Sequence, residues 1–169
     1  MWKRIVAAFA AFGLLCLLGT IVAVGYMAVR TLKPETVNKG LQRELTALGL
    51  TVNEATLADV VARFGPPERT REETLSQVLE YPSKGLLLRV NKTSGKMDWY
   101  EFTSPAFATA GGVRVGATFQ QIRDVYGPTR YVTQLSTGTR VRYHYGVAYV
   151  LEFQLNTDGK LTKVAFFHS

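Results

Sequence analysis

The residues suited to acid–base or metal chemistry are few and scattered. His144 and His168 are the two histidines, Cys16 is the single cysteine, and Glu72 and Glu73 are adjacent in the charged stretch "RTREET". A histidine that moves protons or holds a metal is oriented by a second polar group, and no acidic residue stands at ligand spacing from either one. The patterns H-E-x-x-H, G-x-S-x-G, G-x-x-x-x-G-K-[ST] and G-x-G-x-x-G are all missing. Glu72 and Glu73 read as a solvated turn, and His144 reads as a surface position on a strand. These residues predict no catalytic centre, no metal site and no cofactor.

A second kind of chemistry is suggested by two near-copies. "VARFGPPERT" at 61–70 returns as "RDVYGPTRYV" at 123–132, so that Gly65 and Pro66 recur as Gly127 and Pro128, 62 positions later. Thr56 recurs as Thr118 at the same shift. A glycine-rich loop can cradle phosphate, but it does so at a helix amino terminus, where N–H groups point outward. Here the glycine follows an apolar helical stripe, where carbonyls are left over. Glycine adopts the positive φ of a helix end, and the following proline stops propagation. Thr56, Gly65, Pro66, Thr118, Gly127 and Pro128 therefore read as structural punctuation.

The elements around this punctuation follow from periodicity. Leu57, Val60, Val61 and Phe64 make one two-turn stripe after Thr56. Phe119, Ile122, Val125 and Tyr126 make another after Thr118, where Gln121 completes a capping box. Strand-like runs follow each helix, at 75–81, 85–90 and 97–102, then at 130–135, 140–145, 148–155 and 161–167. The stretch 103–112 reads as a flexible linker of small residues. The expected architecture is α+β, with two tandem helix-plus-antiparallel-sheet repeats at 51–103 and 113–169.

The amino-terminal part has a different composition. Residues 5–29 carry no charge in 25 positions, long enough as a helix to span a bilayer. The region 1–33 is thus expected to be a membrane anchor, with a cleavable signal peptide ending near Gly25 as the alternative. Val37, Leu41, Leu45 and Leu48 recur at helical spacing and predict a juxtamembrane helix within 34–50. A short amino-terminal tail in the cytoplasm places the rest of the chain on the periplasmic or extracellular side. Of the +7 formal charge, residues 1–33 supply four basic residues and no acid. The remainder carries no dense basic stripe, which argues against nucleic-acid binding.

One hairpin can be read for its register. With 145–147 as the loop, Val141, Tyr143, Tyr149, Leu151 and Phe153 share one face, and Arg140 stands opposite Glu152. Arg140, Arg142, His144, Glu152 and Gln154 then share the other face, which is the candidate partner-binding surface. A slip of one residue would exchange the two faces and mix arginine with tyrosine.

The stretch "VRVGATFQQIRDVYGPTRYV" resembles the signature of the SmpA/OmlA (BamE-like) outer-membrane-assembly lipoproteins through Val113, Gly116, Thr118, Ile122, Tyr126 and Gly127. Two such units in tandem resemble the β-lactamase-inhibitor-protein fold. The resemblance covers about residues 51–169 and implies an extracytoplasmic binding module without a cofactor. The expected function is a membrane-anchored scaffold of the cell envelope that binds another envelope or membrane protein. The alternative is a secreted enzyme inhibitor, released by cleavage after Gly25.

Overall fold

The two short helices cannot persist alone, because a pair of turns does not recover the cost of helix nucleation. Each is closed at its start by a reciprocal cap. In α1 (Leu57–Phe64) the Thr56 side chain accepts from the Asp59 N–H while the Asp59 carboxylate accepts from the Thr56 N–H. Thr118 and Gln121 do the same for α2 (Phe119–Tyr126). Each helix then docks through a narrow face. Val60 and Ile122 are fully buried, whereas Leu57 and Val125, expected on the apolar stripes, are 40% and 44% exposed.

The computed structural model describes residues 42–168. Within them are ten strands. β1 (Thr46–Ala47) and β2 (Leu50–Thr51) form a minimal hairpin. The others are β3 (Arg69–Glu72), β4 (Ser76–Tyr81), β5 (Leu86–Asn91), β6 (Met97–Phe102), β7 (Tyr131–Leu135), β8 (Gly138–Tyr145), β9 (Tyr149–Leu155) and β10 (Leu161–His168). These eight form one antiparallel sheet in the order β3-β4-β5-β6-β10-β9-β8-β7.

This corrects the expected architecture of an anchor helix followed by two helix-plus-sheet repeats. The described protein is mostly one continuous sheet with two short α-helices on it. The physical reason lies at the seam, where β10 pairs with β6 and places Phe166 opposite Tyr100 and Val164 opposite Phe102. All four side chains are fully buried, and the Tyr100 and Phe166 rings stack with centroids 5.5 Å apart. Burying such side chains is worth about 1.5–3 kcal/mol each. Separate sheets would expose them.

The membrane-spanning helix is corrected too. Among the described residues no helix is long and apolar enough to cross a membrane. The segment 5–29, on which the anchor and its orientation were placed, lies outside the described residues, as does the rest of 1–33. The single-pass, membrane-anchored localisation therefore has no support. The helix expected within 34–50 lies partly outside the described residues; Gln42 is helical, and the chain beyond it is not a continuing α-helix. Arg43–Leu45 is a single 3-10 turn, and the chain then reverses through Leu48 and Gly49, both at positive φ (61° and 77°). Adjacent positive-φ residues close a two-residue β-hairpin and are incompatible with a helix.

The helix ends are sharper than the expected left-handed turn. Gly65 (φ 82°, ψ −179°) and Gly127 (φ 81°, ψ −174°) lie in a region open essentially to glycine. Each carbonyl accepts from a tyrosine of the sheet: Tyr81 Oη bonds Gly65 O at 3.0 Å and Tyr143 Oη bonds Gly127 O at 2.8 Å. Pro66 and Pro128 follow on the surface.

Both helices, the β1–β2 hairpin and Phe107 of the linker pack on the same side of the sheet, where strand residues such as Leu88, Phe153 and Val164 complete the core. Val78, Val150 and Ala165 are equally buried but belong to the other side, outside that core. No element among the described residues covers that second side.

Candidate functional site

The outer face of the sheet is set by strand alternation and can be followed across paired residues. One line runs through Arg89, Trp99, Phe167, Val150 and His144, each paired with the next across neighbouring strands. The adjacent line runs through Leu87, Glu101, Ala165, Glu152, Arg142 and Tyr131. Trp99 and Phe167 are half-buried, and with the arginine stems they cover the smaller Val150 and Ala165 beneath them.

The five residues expected on this face, Arg140, Arg142, His144, Glu152 and Gln154, are all there, but the register differs. The hairpin loop is 146–148, Arg142 stands opposite Glu152, and Val141 stands opposite Phe153. The pairing has moved by two residues, which preserves both faces because the side-chain period is also two. The observed register brings Tyr145 opposite Tyr149 and lets Arg142 Nε donate to Glu152 Oε2 at 2.8 Å.

Glu152 is the centre of the polar cluster. Its side chain is 9% exposed, and its other oxygen accepts from Gln154 Nε2 at 2.8 Å. Arg140 Nε lies 3.7 Å from Glu152 Oε1, too far for a hydrogen bond, and is buried without a hydrogen-bond partner. Burial alone would raise the Glu152 carboxyl. The bonds from Gln154 and Arg142 and the two arginine charges outweigh it and hold the carboxyl below its ordinary value. Two arginines thus share one ionised carboxylate. Elsewhere on this face Arg89 pairs with Asp98 at 2.7 Å, Lys163 with Glu101 at 3.0 Å, and Arg71 with both Glu73 and Glu80.

His144 is exposed, and its ring lies 4.4 Å from that of Tyr131. Arg130 sits over the Tyr131 ring at 5.0 Å and donates to its hydroxyl at 2.9 Å. Among the described residues no hydrogen bond or ion pair orients His144 for proton transfer. Glu72 and Glu73 pair with Lys92 and Arg71 on the surface. Among the described residues no group of three or more His, Cys, Asp or Glu side chains could hold a metal ion.

One carboxylate that sequence reasoning missed is enclosed in the core. Glu44, in the 3-10 turn, is fully buried. Its Oε1 accepts from Tyr126 Oη at 2.5 Å and from the Gly111 N–H at 3.1 Å; its Oε2 accepts from the Ala110 N–H at 2.9 Å and from Tyr100 Oη at 3.3 Å. Burial, followed by the Glu44 charge, raises both tyrosine hydroxyls well above their ordinary range. With both oxygens occupied and no exposure, Glu44 has no lone pair turned to a substrate; it is a clamp. It also pins 109–112, so the linker expected to be flexible is held on one side by Glu44 and on the other by Arg114, which bonds the carbonyls of Pro105 and Ala106.

A shallow cleft of about 380 Å³ lies between 111–117 and the α2 residues Gln121 and Val125. Its polar side chains are already engaged, Gln121 in the helix cap and Arg114 with the linker carbonyls. It presents nothing that would fix a ligand.

No family model matches the chain, the SmpA/OmlA type included, and no curated protein matches it either. The BamE-like and lipoprotein-like character expected from the 113–132 motif is corrected accordingly. Solved structures do match. One is a DUF4309 family protein (YjgB) from Bacillus subtilis, at 20% identity over 78% of this chain and 94% of that one, with a TM-score of 0.51. Another is a cysteine-rich secretory protein from Staphylococcus aureus, at 11% identity and a TM-score of 0.54, where 72% of this chain spans 44% of that protein. A third is the protein yfeY from Escherichia coli, at 10% identity and a TM-score of 0.45. At such identities the first two establish likeness of fold alone.

Proposed function

We propose that the protein is a non-catalytic binding module that holds an acidic protein partner against the outer face of β8 and β9. The observation that carries this reading is the sharing of Glu152 between Arg140 and Arg142, with the buried Arg140 Nε left without a hydrogen bond. A second carboxylate, brought by a partner, completes the pairing at little further desolvation cost, since the site is already partly enclosed. Trp99, Phe167, Tyr131 and His144 supply the flat aromatic area typical of recognition surfaces.

The test is affinity capture from detergent extracts of the source cells, with the wild-type chain and with Arg140→Glu/Arg142→Glu as baits of matched circular dichroism. The charge-reversed bait is expected to lose proteins that the wild type retains. An unchanged set of retained proteins would mean that this face is not the binding surface.

A further inference from the structure

The two edges of the sheet are built differently. β3 reads Arg-Thr-Arg-Glu, entirely exposed, and follows the proline pair 66–67. Its charges are tied into a local network, Arg71 with Glu73 at 2.6 Å and Glu80 at 3.3 Å, and Glu72 with Lys92 at 2.8 Å. Charge and proline are the usual means of keeping a sheet edge from recruiting another strand.

β7 is protected less: Pro128 and Arg130 precede it, but the strand itself carries neither device. It reads Tyr-Val-Thr-Gln-Leu, with no charge and no proline, and residues 131–134 are exposed. Among the described residues it pairs with β8 on one side only. Alternate residues of an edge strand turn their N–H and C=O groups outward, and an uncharged strand rich in β-branched and aromatic residues is a template for strand addition. The charges nearest it are mostly basic. Arg130 precedes the strand, and Arg140 and Arg142 flank it on β8, where they pair with Thr133 and Tyr131. From 114 to 163 the chain carries seven lysines and arginines against three acids.

We infer that β7 is a strand-addition site, which takes an extended acidic segment of a partner as a ninth strand of the sheet. The inference rests on the reading of the protein as a binding module and names how the partner is held. Main-chain hydrogen bonds to β7 give affinity, and carboxylates on alternate positions of the incoming strand reach Arg140 and Arg142 on the outer face. A second copy of the chain fits less well. A pair of five-residue edges buries far less than the roughly 1,200–2,000 Å² of a stable interface, and it would bring two sets of arginines together.

The probe is a synthetic nine-residue peptide, Glu-Val-Glu-Val-Thr-Val-Glu-Val-Glu, added to the full chain. Two further probes are versions with alternate backbone amides N-methylated along one edge or the other. Amide hydrogen exchange along β7 and fluorescence anisotropy of labelled peptide are the readouts. The unmodified peptide is expected to bind and to slow exchange at alternate β7 amides. Methylation along one edge should weaken binding by about tenfold or more, equivalent to ~1.4 kcal/mol, and along the other edge should leave it unchanged. Equal binding of all three peptides would overturn strand addition while leaving side-chain recognition on the face intact. Absence of binding at millimolar peptide overturns it as well. So does protection of the β7 amides without peptide in a sample that sediments as a dimer, which would assign the edge to a second copy. The capture experiment with Arg140 and Arg142 reversed reads the face independently of these peptides.

Discussion

Removing the Glu44 carboxylate should unfold much of what the sheet alone cannot hold. Glu44→Ala takes the acceptor away from four donors at once: the Ala110 and Gly111 N–H groups and the Tyr100 and Tyr126 hydroxyls, at 2.5–3.3 Å. A buried donor left without a partner costs about 1–3 kcal/mol. The full sum is not reached, because water can enter from the half-exposed linker and because a buried charge is removed with its partners. About 3–5 kcal/mol is therefore expected, a large share of the roughly 5–15 kcal/mol that stabilises a domain of this size. Glu44→Gln keeps one acceptor oxygen but turns an amide NH2 toward existing donors, so it should cost about 2–3 kcal/mol. Tyr126→Phe, which deletes the 2.5 Å bond, should cost more than Tyr100→Phe, which deletes the 3.3 Å one. Urea denaturation followed by far-ultraviolet circular dichroism, with linear extrapolation, measures all four. If the alanine variant is too unstable to purify, the order of the two phenylalanine variants still decides. Glu44→Ala within about 1 kcal/mol of wild type, or Glu44→Gln equal to wild type, would refute the clamp.

Stability should fall in alkali more steeply than carboxylate and lysine titration explains. Burial raises Tyr81 and Tyr143, the latter to about 12 from an ordinary 10.0, and burial together with the Glu44 charge raises Tyr100 and Tyr126. The neutral hydroxyls are favoured in the folded state, so their contribution is complete below pH ~10 and is lost as pH rises through the folded values. Urea midpoints between pH 8 and 12 test this; Tyr143→Phe should flatten the decline, and an unchanged profile would contradict it. Gly138→Ala should cost on the order of 3 kcal/mol, because the new Cβ would sit 2.0 Å from the Leu155 carbonyl oxygen at a φ of 133°. A thermal midpoint within a degree or two of wild type would show that the β7–β8 hairpin is not held as described.

Strand positions and faces were legible because alternation is a local signal. The runs 97–102 and 161–167 became β6 and β10 almost unaltered, and all five residues of the candidate face lie on one side. Register was not legible to better than two residues, since Arg140 opposite Glu152 and Arg142 opposite Glu152 satisfy the same alternation; the ion pair and the Tyr145–Tyr149 contact decide between them. The merging of the strands into one sheet depends on Tyr100 meeting Phe166, a pairing between residues far apart in sequence that no window of residues reveals. β3 was missed because four exposed, largely charged residues look like a turn. Glu44 stands seven residues from Val37, three from Leu41 and four from Leu48, on the apolar side of the helical pattern 37–48; it was missed because a lone acid there reads as an interruption, and its partners come from three distant segments. Trp99 and Phe167 could have been found: alternation from Tyr100 and Phe166 puts both on the outer face.

The position of β10 has a consequence for how the molecule is made. It is the last of the eight strands to be synthesised, yet it lies in the middle of the sheet, between β6 and β9. Until it emerges, β6 and β9 each present an open edge, and no strand pairing joins the halves on either side. The nascent chain therefore carries the open edge of β6 from residue 102 until β10 emerges at 161, and that of β9 only briefly before it, and closing both is a single late event that joins distant parts of the chain. Loss of residues 161–168 would not trim the fold from its end; it would divide it at the centre.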